Sequence, residues 1–567
     1  MRFNSVARWS RGLIVAAVTM LVSGLLCGAI GCFGTAETKS PTTSDKPAEK
    51  QAVSVSSALA ALHPIEFEIG VPRDLPSGEL NSWGDVMLAD LMDPEVDEGK
   101  LREALKPFLD EVMIERVLRR QFVPRDSVAI RDAIWARGIA ETVAKTTDSD
   151  LDRVVQLFQF VTQNLHVLPD DNVPLGLFDR LQLGFGQPED RAWTFALLAQ
   201  QLKLPTVIIE PKLPDDAKKS VLVGVVIDPE IYLFDATVGL PIPAENDDQQ
   251  QVQITKVATL QQVLASDAVL RQLDLEGHAY PYQSEHFRAA TLSVIGDTTL
   301  WSRRSEALQN GMAKESTAVV FQPLVSVGPF EGVLDQVVSV VKGQLPAGNV
   351  GVWKYAEDRR EQREVLNAEQ VAGLKELFDP FQAPRPLIIV PIEKPEAGKA
   401  PVKLEFGKGW NHLLIARTKQ LIGQTTESIP MYLKLQGWAR IPPTPSKGLA
   451  VPAEFEAEVT RLIPEDVQRL HGQAAELALF WRATCQLSLG EYGTAANDFE
   501  TYLTRVARGT FPAQSRYLAG LATALKGNPS RALAFMSRID PSDPQYRAAR
   551  ILMKRWKALA DDGASEK

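Results

Sequence analysis

The chain has 567 residues but only three cysteines, Cys27, Cys32 and Cys485, and six histidines. Cys27 falls in a presequence and Cys32 is a candidate for lipid attachment. Cys485 is then the sole remaining thiol, so no intramolecular disulfide can form even in an oxidising compartment. His278 and His286, in HAYPYQSEH, have neither the helical spacing nor the nearby cysteine of a metal site. There is no G-x-x-x-x-G-K-[ST] phosphate loop and no G-x-S-x-G elbow, and GFGQPE carries only two of the three glycines of a dinucleotide fingerprint. No cofactor or metal is therefore expected. Positive charge is also short: 61 Lys and Arg stand against 71 Asp and Glu, a net −10, which becomes −13 once Arg2, Arg8 and Arg11 of the presequence are lost. That balance argues against nucleic acid or an anionic lipid surface as the main ligand.

What is present is an ordinary globular composition, 45% apolar and 23% charged, with 37 Gly and 37 Pro evenly spread. Wholesale disorder, collagen and coiled coil are excluded. At roughly 150 residues per domain the length corresponds to about three or four domains. The start of the chain is an address. Arg2, Arg8 and Arg11 form a basic n-region, and Leu13 to Leu26 is an uncharged apolar run of export length, so residues 1–31 read as a signal peptide. The residues before Cys32 (Ala29, Ile30, Gly31) resemble the lipobox of bacterial lipoproteins, in which the cysteine is diacylated and becomes residue one. A leucine is more usual where Ala29 stands, and plain secretion or an uncleaved anchor are the alternatives. All three put the bulk of the chain outside the cytoplasm. Residues 32–57, poor in large apolar side chains, read as a flexible tether of about 25 to 30 Å.

Residues 58–124 read as a helical lead-in, with KLREALKPFLDEVMIERVLRRQF a long helical pattern. Leu151, Val154, Val155, Phe158, Val161 and Leu165 then recur at three and four residues, the mark of an amphipathic helix. In GFGQPEDRAWTFALLAQQLKLP, Ala192, Phe195, Ala196, Ala199 and Leu202 repeat helically after a glycine-rich turn, and the helix is expected to end near Lys203, before Pro205. Three β-rich runs follow: TVIIE from Thr206, VLVGVVID from Val221 and IYLFD from Ile231.

This order, a helix opening after G-x-G and three strands closing on an aspartate in F-D-A-T, resembles the transglutaminase-like superfamily over residues 125–245. The resemblance implies a papain-type arrangement in which a cysteine opens the helix, a histidine comes from the next strand region, and an aspartate orients the histidine. Carried over, the nucleophile position is Pro188, and the histidine position falls near Leu222 to Gly224, where none occurs between His166 and His278. Only Asp235 is in its expected place. With Pro188 and Asp235 as vestigial positions, the resemblance implies a core without acyl-transfer chemistry. Proline suits the first helical position, and Glu189 and Asp190 suit the positive end of the helix dipole. A sharper alternative makes Glu189, Asp190 and Asp235 an acidic active site, but adjacent helical residues point about 100° apart. Asp235 is expected to hold backbone N–H groups of the turn that follows it.

Residues 246–405 read as a mixed α/β segment, helical from 250 to 310, with short strands at AVVFQ and PLIIVPI and a Pro/Lys/Glu linker at Glu393 to Pro401. From 406 to 567 the pattern is helical and repeats itself. Ala416, Gly423, Ser428 and Tyr432 match Ala483, Gly490, Ala495 and Phe499, and then Gly520, Gly527, Ala532 and Met536. This skeleton resembles the tetratricopeptide repeat, with Gly423, Gly490 and Gly527 as turn residues and a further, poorly marked unit between the first two. The resemblance implies binding of protein or peptide partners, while the bland alternative is a tail that only caps the core. The fold class expected is α+β: a degenerate transglutaminase-like core, a mixed α/β segment and a helical repeat. The function expected is a non-catalytic, lipid-anchored envelope scaffold or adaptor. A hydrolase or acyl-transfer enzyme with a displaced nucleophile and a purely structural lipoprotein are the rivals.

Overall fold

A computed structural model describes residues 54–63, 74–144, 149–168, 173–214, 219–248, 251–345, 349–382, 387–393, 402–406, 411–438, 444–445, 463–506 and 509–565. Two units divide the chain, Met1–Gln51 and Ala52–Lys567, and every described element belongs to the second. The signal peptide, Cys32 and most of the tether lie outside the described residues, as does nearly all of the Glu393–Pro401 linker. Helical structure begins within the stretch read as tether, with α1 (Val55–Ala61). Among the described residues no helix is long and apolar enough to cross a membrane.

The lead-in comprises α2 (Asp74–Leu91), α3 (Glu98–Leu105), α4 (Glu111–Leu118) and α5 (Pro124–Val143). The run expected to be one long helix is two, α3 and α4. Pro107 cannot continue a helical hydrogen-bond ladder, and each helix has its own aspartate cap: Asp97 accepts from Lys100 N at 2.9 Å and Asp110 from Met113 N at 3.0 Å. Next come α6 (Asp150–Asn164), capped by Ser149, then β1 (His166–Val167), α7 (Leu177–Leu183), β2 (Phe185–Gly186) and α8 (Pro188–Gln200). The last of these stops three residues short of Lys203, which takes a left-handed φ of 61° that breaks the helix before Pro205.

The three β-rich runs are β3 (Thr206–Glu210), β4 (Leu222–Ile227) and β5 (Glu230–Asp235), joined by the short β6 (Leu240–Pro241). After α9 (Leu260–Ala265), α10 (Ala268–Arg271) and α11 (Ser284–Arg288) comes β7 (Thr291–Ile295), a strand inside the stretch expected to be helical. Then follow α12 (Arg303–Met312), α13 (Val333–Val341) and β8 (Val350–Trp353). The sheet order is β6-β5-β4-β3-β7-β8, antiparallel except for the parallel β7–β8 pair. One sheet therefore runs across residue 245, where the sequence placed the end of the core. Strands β3 and β4 are buried along almost their whole length, which is why they read as continuous apolar runs rather than alternating ones. Phe158 of α6, Phe195 of α8 and Phe234 of β5 meet with ring centroids 4.9 to 5.0 Å apart and fasten both helices to the sheet.

AVVFQ, expected as a strand, is not one. Its backbone is satisfied by side chains instead, with Val319 N donating to Gln201 Oε1 and Val320 N to Gln309 Oε1, both at 2.8 Å. An apolar run of this kind satisfies the composition rule for a strand but has no strand beside it. The chain continues through α14 (Tyr355–Glu364), α15 (Ala368–Gln382), β9 (Leu387–Pro391) and β10 (Val402–Phe406). The tail is then α16 (His412–Leu421), α17 (Thr425–Trp438), the short β11 (Thr444–Pro445), α18 (Glu465–Ser488), α19 (Tyr492–Arg505), α20 (Pro512–Leu525), α21 (Pro529–Met536) and α22 (Tyr546–Ser565). Between Gly423 and Gly490, where a further repeat is expected, residues 439–462 lie outside the described residues except for β11. The molecule is thus mixed α/β, with a six-stranded sheet and C-terminal helices.

Candidate functional site

Helix α8 opens at Pro188, whose missing N–H would have no intrahelical partner there. Asp190 folds back to accept from Gln187 N at 2.8 Å, and its other carboxylate oxygen is taken by the Arg180 guanidinium and the Tyr355 hydroxyl. It is buried, whereas Glu189 is half-exposed. Asp235 ends β5 with a different set of partners. Its Oδ1 accepts from Val238 N at 2.8 Å and its Oδ2 from the Tyr280 hydroxyl at 2.7 Å. Burial pushes the Asp235 carboxyl above the usual carboxylate range and the Tyr280 phenol well above its own. Asp190 and Asp235 are thus held by separate sets of partners.

Opposite Asp235 in the ladder stands Leu222, followed by Val223, both fully buried and apolar. That is the stretch where the resemblance calls for a histidine. Between the helix start and the strand end lies a guanidinium: Arg191 donates from Nε to Leu165 O at 2.7 Å and from Nη1 to Ala236 O at 3.2 Å. Burial pulls it down to about 10. A cation held by carbonyls therefore joins α6, α8 and the turn after β5. Asp235 and Tyr280 form an oriented acid–phenol pair, but with both side chains at most 2% exposed, neither can reach a solute.

No family model, curated protein or solved structure matches this chain. Among the described residues no group of three or more His, Cys, Asp or Glu could hold a metal.

Gly423, Gly490 and Gly527 lie between α16 and α17, α18 and α19, and α20 and α21, with φ of 80°, 77° and 87°. Each closes the same double hydrogen bond. Gly423 N bonds Gln420 O at 3.0 Å while Gln424 N reaches Lys419 O at 2.8 Å, and the pattern repeats at Gly490 and Gly527. This is the Schellman ending, for which a left-handed residue is required. The helices they join are laid against the rest of the chain. Arg417 of α16 donates to Leu181 O at 2.9 and 3.1 Å and to Asn164 Oδ1 at 3.0 Å, with its guanidinium 3.4 Å above the Trp481 ring of α18. His166 sits 5.6 and 5.7 Å from the rings of Phe480 and Phe511.

Sequence reading missed one feature altogether. A cavity of about 250 Å³ lies among α5, α7, α8 and α14, lined by Arg125, Arg131, Arg359, Arg360 and Arg363 together with Trp193 and three carboxylates. Its arginines come from segments more than 200 residues apart, so no local spacing could have flagged them. The only sequence trace is the RR-x-x-R run at 359–363 on a helix otherwise rich in acid.

Proposed function

We propose that this protein is a non-catalytic, lipid-anchored scaffold or adaptor of the bacterial envelope, built from a degenerate transglutaminase-like core and a tetratricopeptide-like tail. The observation that carries this is Arg191. Its guanidinium bridges Leu165 and Ala236 where a nucleophile and histidine would have to face one another, and Pro188, Leu222 and Val223 offer no acid, base or nucleophile beside it. An activated nucleophile needs a base within hydrogen-bond reach and a group to orient that base. Here the orienting group, Asp235, is engaged by Val238 and Tyr280 instead. The antiparallel β3–β4–β5 order after α8 supports the core assignment, and three helix pairs joined by left-handed glycines support the tail assignment.

Two experiments test the reading. Purified mature protein should give no turnover with amine-acceptor or peptide substrates, and turnover abolished by Glu189→Gln or Asp235→Asn would overturn it in favour of an enzyme with a displaced nucleophile. Crosslinking in native envelopes should capture reproducible protein partners. The clamps of Arg417 and His166 on the core favour a second reading, in which the tail is a cap and the protein a purely structural lipoprotein. An empty crosslinking result would select that reading. The anchor is tested by mass analysis of the mature N-terminus, which should show a diacylglyceryl cysteine at Cys32.

A further inference from the structure

We propose that the cavity among α5, α7, α8 and α14 is a binding site for a small organic monocarboxylate that also carries a hydrogen-bond donor. The wall presents five guanidinium groups and the three carboxylates of Asp132, Asp179 and Glu364, with Glu357 behind Arg125 at 3.1 Å and Asp297 behind Arg360. Three of the arginines are engaged by acids, Arg131 giving Asp132 Oδ1 bonds from Nε at 3.1 Å and from Nη2 at 2.6 Å. Arg125 binds both oxygens of Glu364 at 2.8 and 2.9 Å, and Arg363 meets Asp179 at 2.9 Å.

Arg360 and Asp132 differ. Arg360 reaches Asp297 at 2.7 Å through Nη1, yet among the described residues its Nε has no hydrogen-bond partner, nor does the second oxygen of Asp132, Oδ2. The two groups stand 3.9 Å apart, too far for a hydrogen bond, and both side chains are at least nine-tenths buried. Buried donors and acceptors left unmade are costly, and where they line a cavity they are candidates for contact with a bound molecule. An acceptor for Arg360 and a donor for Asp132, offered by one solute, would complete both with small side-chain adjustments.

The acids in the wall narrow the class. A carboxylate matches the planar guanidinium fork. A dianion such as hydrogen phosphate would put a second negative charge near Asp132 and Asp179. Trp193, Val128 and Pro124 make the apolar part of the wall, with the guanidinium groups of Arg360 at 5.6 Å and Arg180 at 5.7 Å over the Trp193 ring. The size, about 250 Å³, is just below the usual range for small-molecule pockets of roughly 300 to 1,000 Å³. It suits a hydroxy or amino acid with a ring, and excludes a polymer.

The test is titration calorimetry on the full mature chain with mandelate, lactate and phenylalanine, with inorganic phosphate as the control anion. Saturable binding of mandelate or phenylalanine is expected, with phosphate at least tenfold weaker. Arg359→Gln, which removes a half-exposed cavity cation, should weaken carboxylate binding about tenfold. Val128→Phe fills the space from α5 without touching a charge and should abolish binding while circular dichroism stays unchanged. This second variant keeps the test decisive if loss of an arginine disturbs folding. Absence of saturable binding of every carboxylate by folded wild-type protein, binding of phosphate equal to that of mandelate, or undiminished binding in folded Val128→Phe would each overturn the assignment. None of these outcomes bears on whether the protein is an enzyme.

Discussion

At the scale of single residues, Gly423, Gly490 and Gly527 are equivalent in the repeat skeleton and in φ, but not in what surrounds them. A Cβ on Gly423 would lie 1.9 Å from Thr142 Cγ2 of α5, whereas one on Gly527 would meet nothing within 4 Å and one on Gly490 only the Tyr492 ring at 4.0 Å. A non-glycine residue in the left-handed region costs about 1 to 2 kcal/mol, and forcing atoms into a packed contact adds about 1 to 3 kcal/mol. We therefore expect Gly490→Ala and Gly527→Ala to lose about 1 kcal/mol each and Gly423→Ala about 3 kcal/mol, read from urea midpoints at constant m-value. Equal losses at all three would show that Thr142 yields freely and that α16 is only loosely seated. The small-residue pattern marks all three turns in the sequence. The neighbour that separates Gly423 from the others lies 281 residues earlier in the chain and left no local sign.

Elements carry the next distinction, because the junction between core and tail is made of buried polar groups whose charge state matters. His166 of β1 is held between Phe480 of α18 and Phe511, close to the cations Arg191 and Arg417. Burial, reinforced by those two charges, pushes its imidazole well below the ordinary value near 6.5. The folded state then binds fewer protons than the unfolded chain below about pH 6.5, so the stability contributed by neutral His166 is present above that pH and is lost as pH falls. One proton of difference gives a slope of at most about 1.4 kcal/mol per pH unit. Wild-type protein should lose up to that much more stability than His166→Gln for each unit between pH 6 and 5, compared by urea unfolding at each pH. Parallel profiles would mean that His166 titrates normally and that the junction is wet. Elements also show where the sequence was legible. Strands β3, β4 and β5 follow one another with short connections, so their apolar runs and turns identify them directly. Strand β7 is five residues long, its parallel partner β8 lies more than fifty residues further on, and short helices precede and follow it, so TLSVI passes for part of a helical region. The same logic hid the arginine cavity, whose walls are set by packing of α14 against α5 and α7.

On the scale of the whole molecule, helix α22 is bolted to the loop that follows β6. Arg555 of α22 binds the fully buried Asp247 carboxylate at 2.6 Å and donates to the carbonyls of Asp248, Gln251 and Gln253, and Trp556 Nε1 donates to Val252 O at 2.9 Å. The two partners of this ion pair are not equally exposed to its loss. Without Arg555, Asp247 keeps the backbone N–H groups of Thr255 at 3.2 Å and Lys256 at 3.0 Å and the Thr255 hydroxyl at 3.5 Å, all on Oδ1, and the carbonyls lose their donor. Without the charge on Asp247, Arg555 still has those carbonyls. Removing one partner of a buried pair costs about 3 to 5 kcal/mol when the other is stranded, so Arg555→Met should fall in that range. Asp247→Asn should lose only about 1 to 2 kcal/mol, the scale of a hydrogen bond to a charged group. Because α22 is fixed to the sheet side of the molecule here, while α16 and α18 are fixed by Arg417 and His166, the tail should not melt separately. Unfolding followed by far-ultraviolet circular dichroism and by tryptophan fluorescence should give coincident transitions in wild-type protein and in both variants, displaced to lower urea most strongly in Arg555→Met. A separate early transition in the helical signal would show that the tail is an independent body, and that Arg555 and Asp247 are a surface clasp rather than part of a common core.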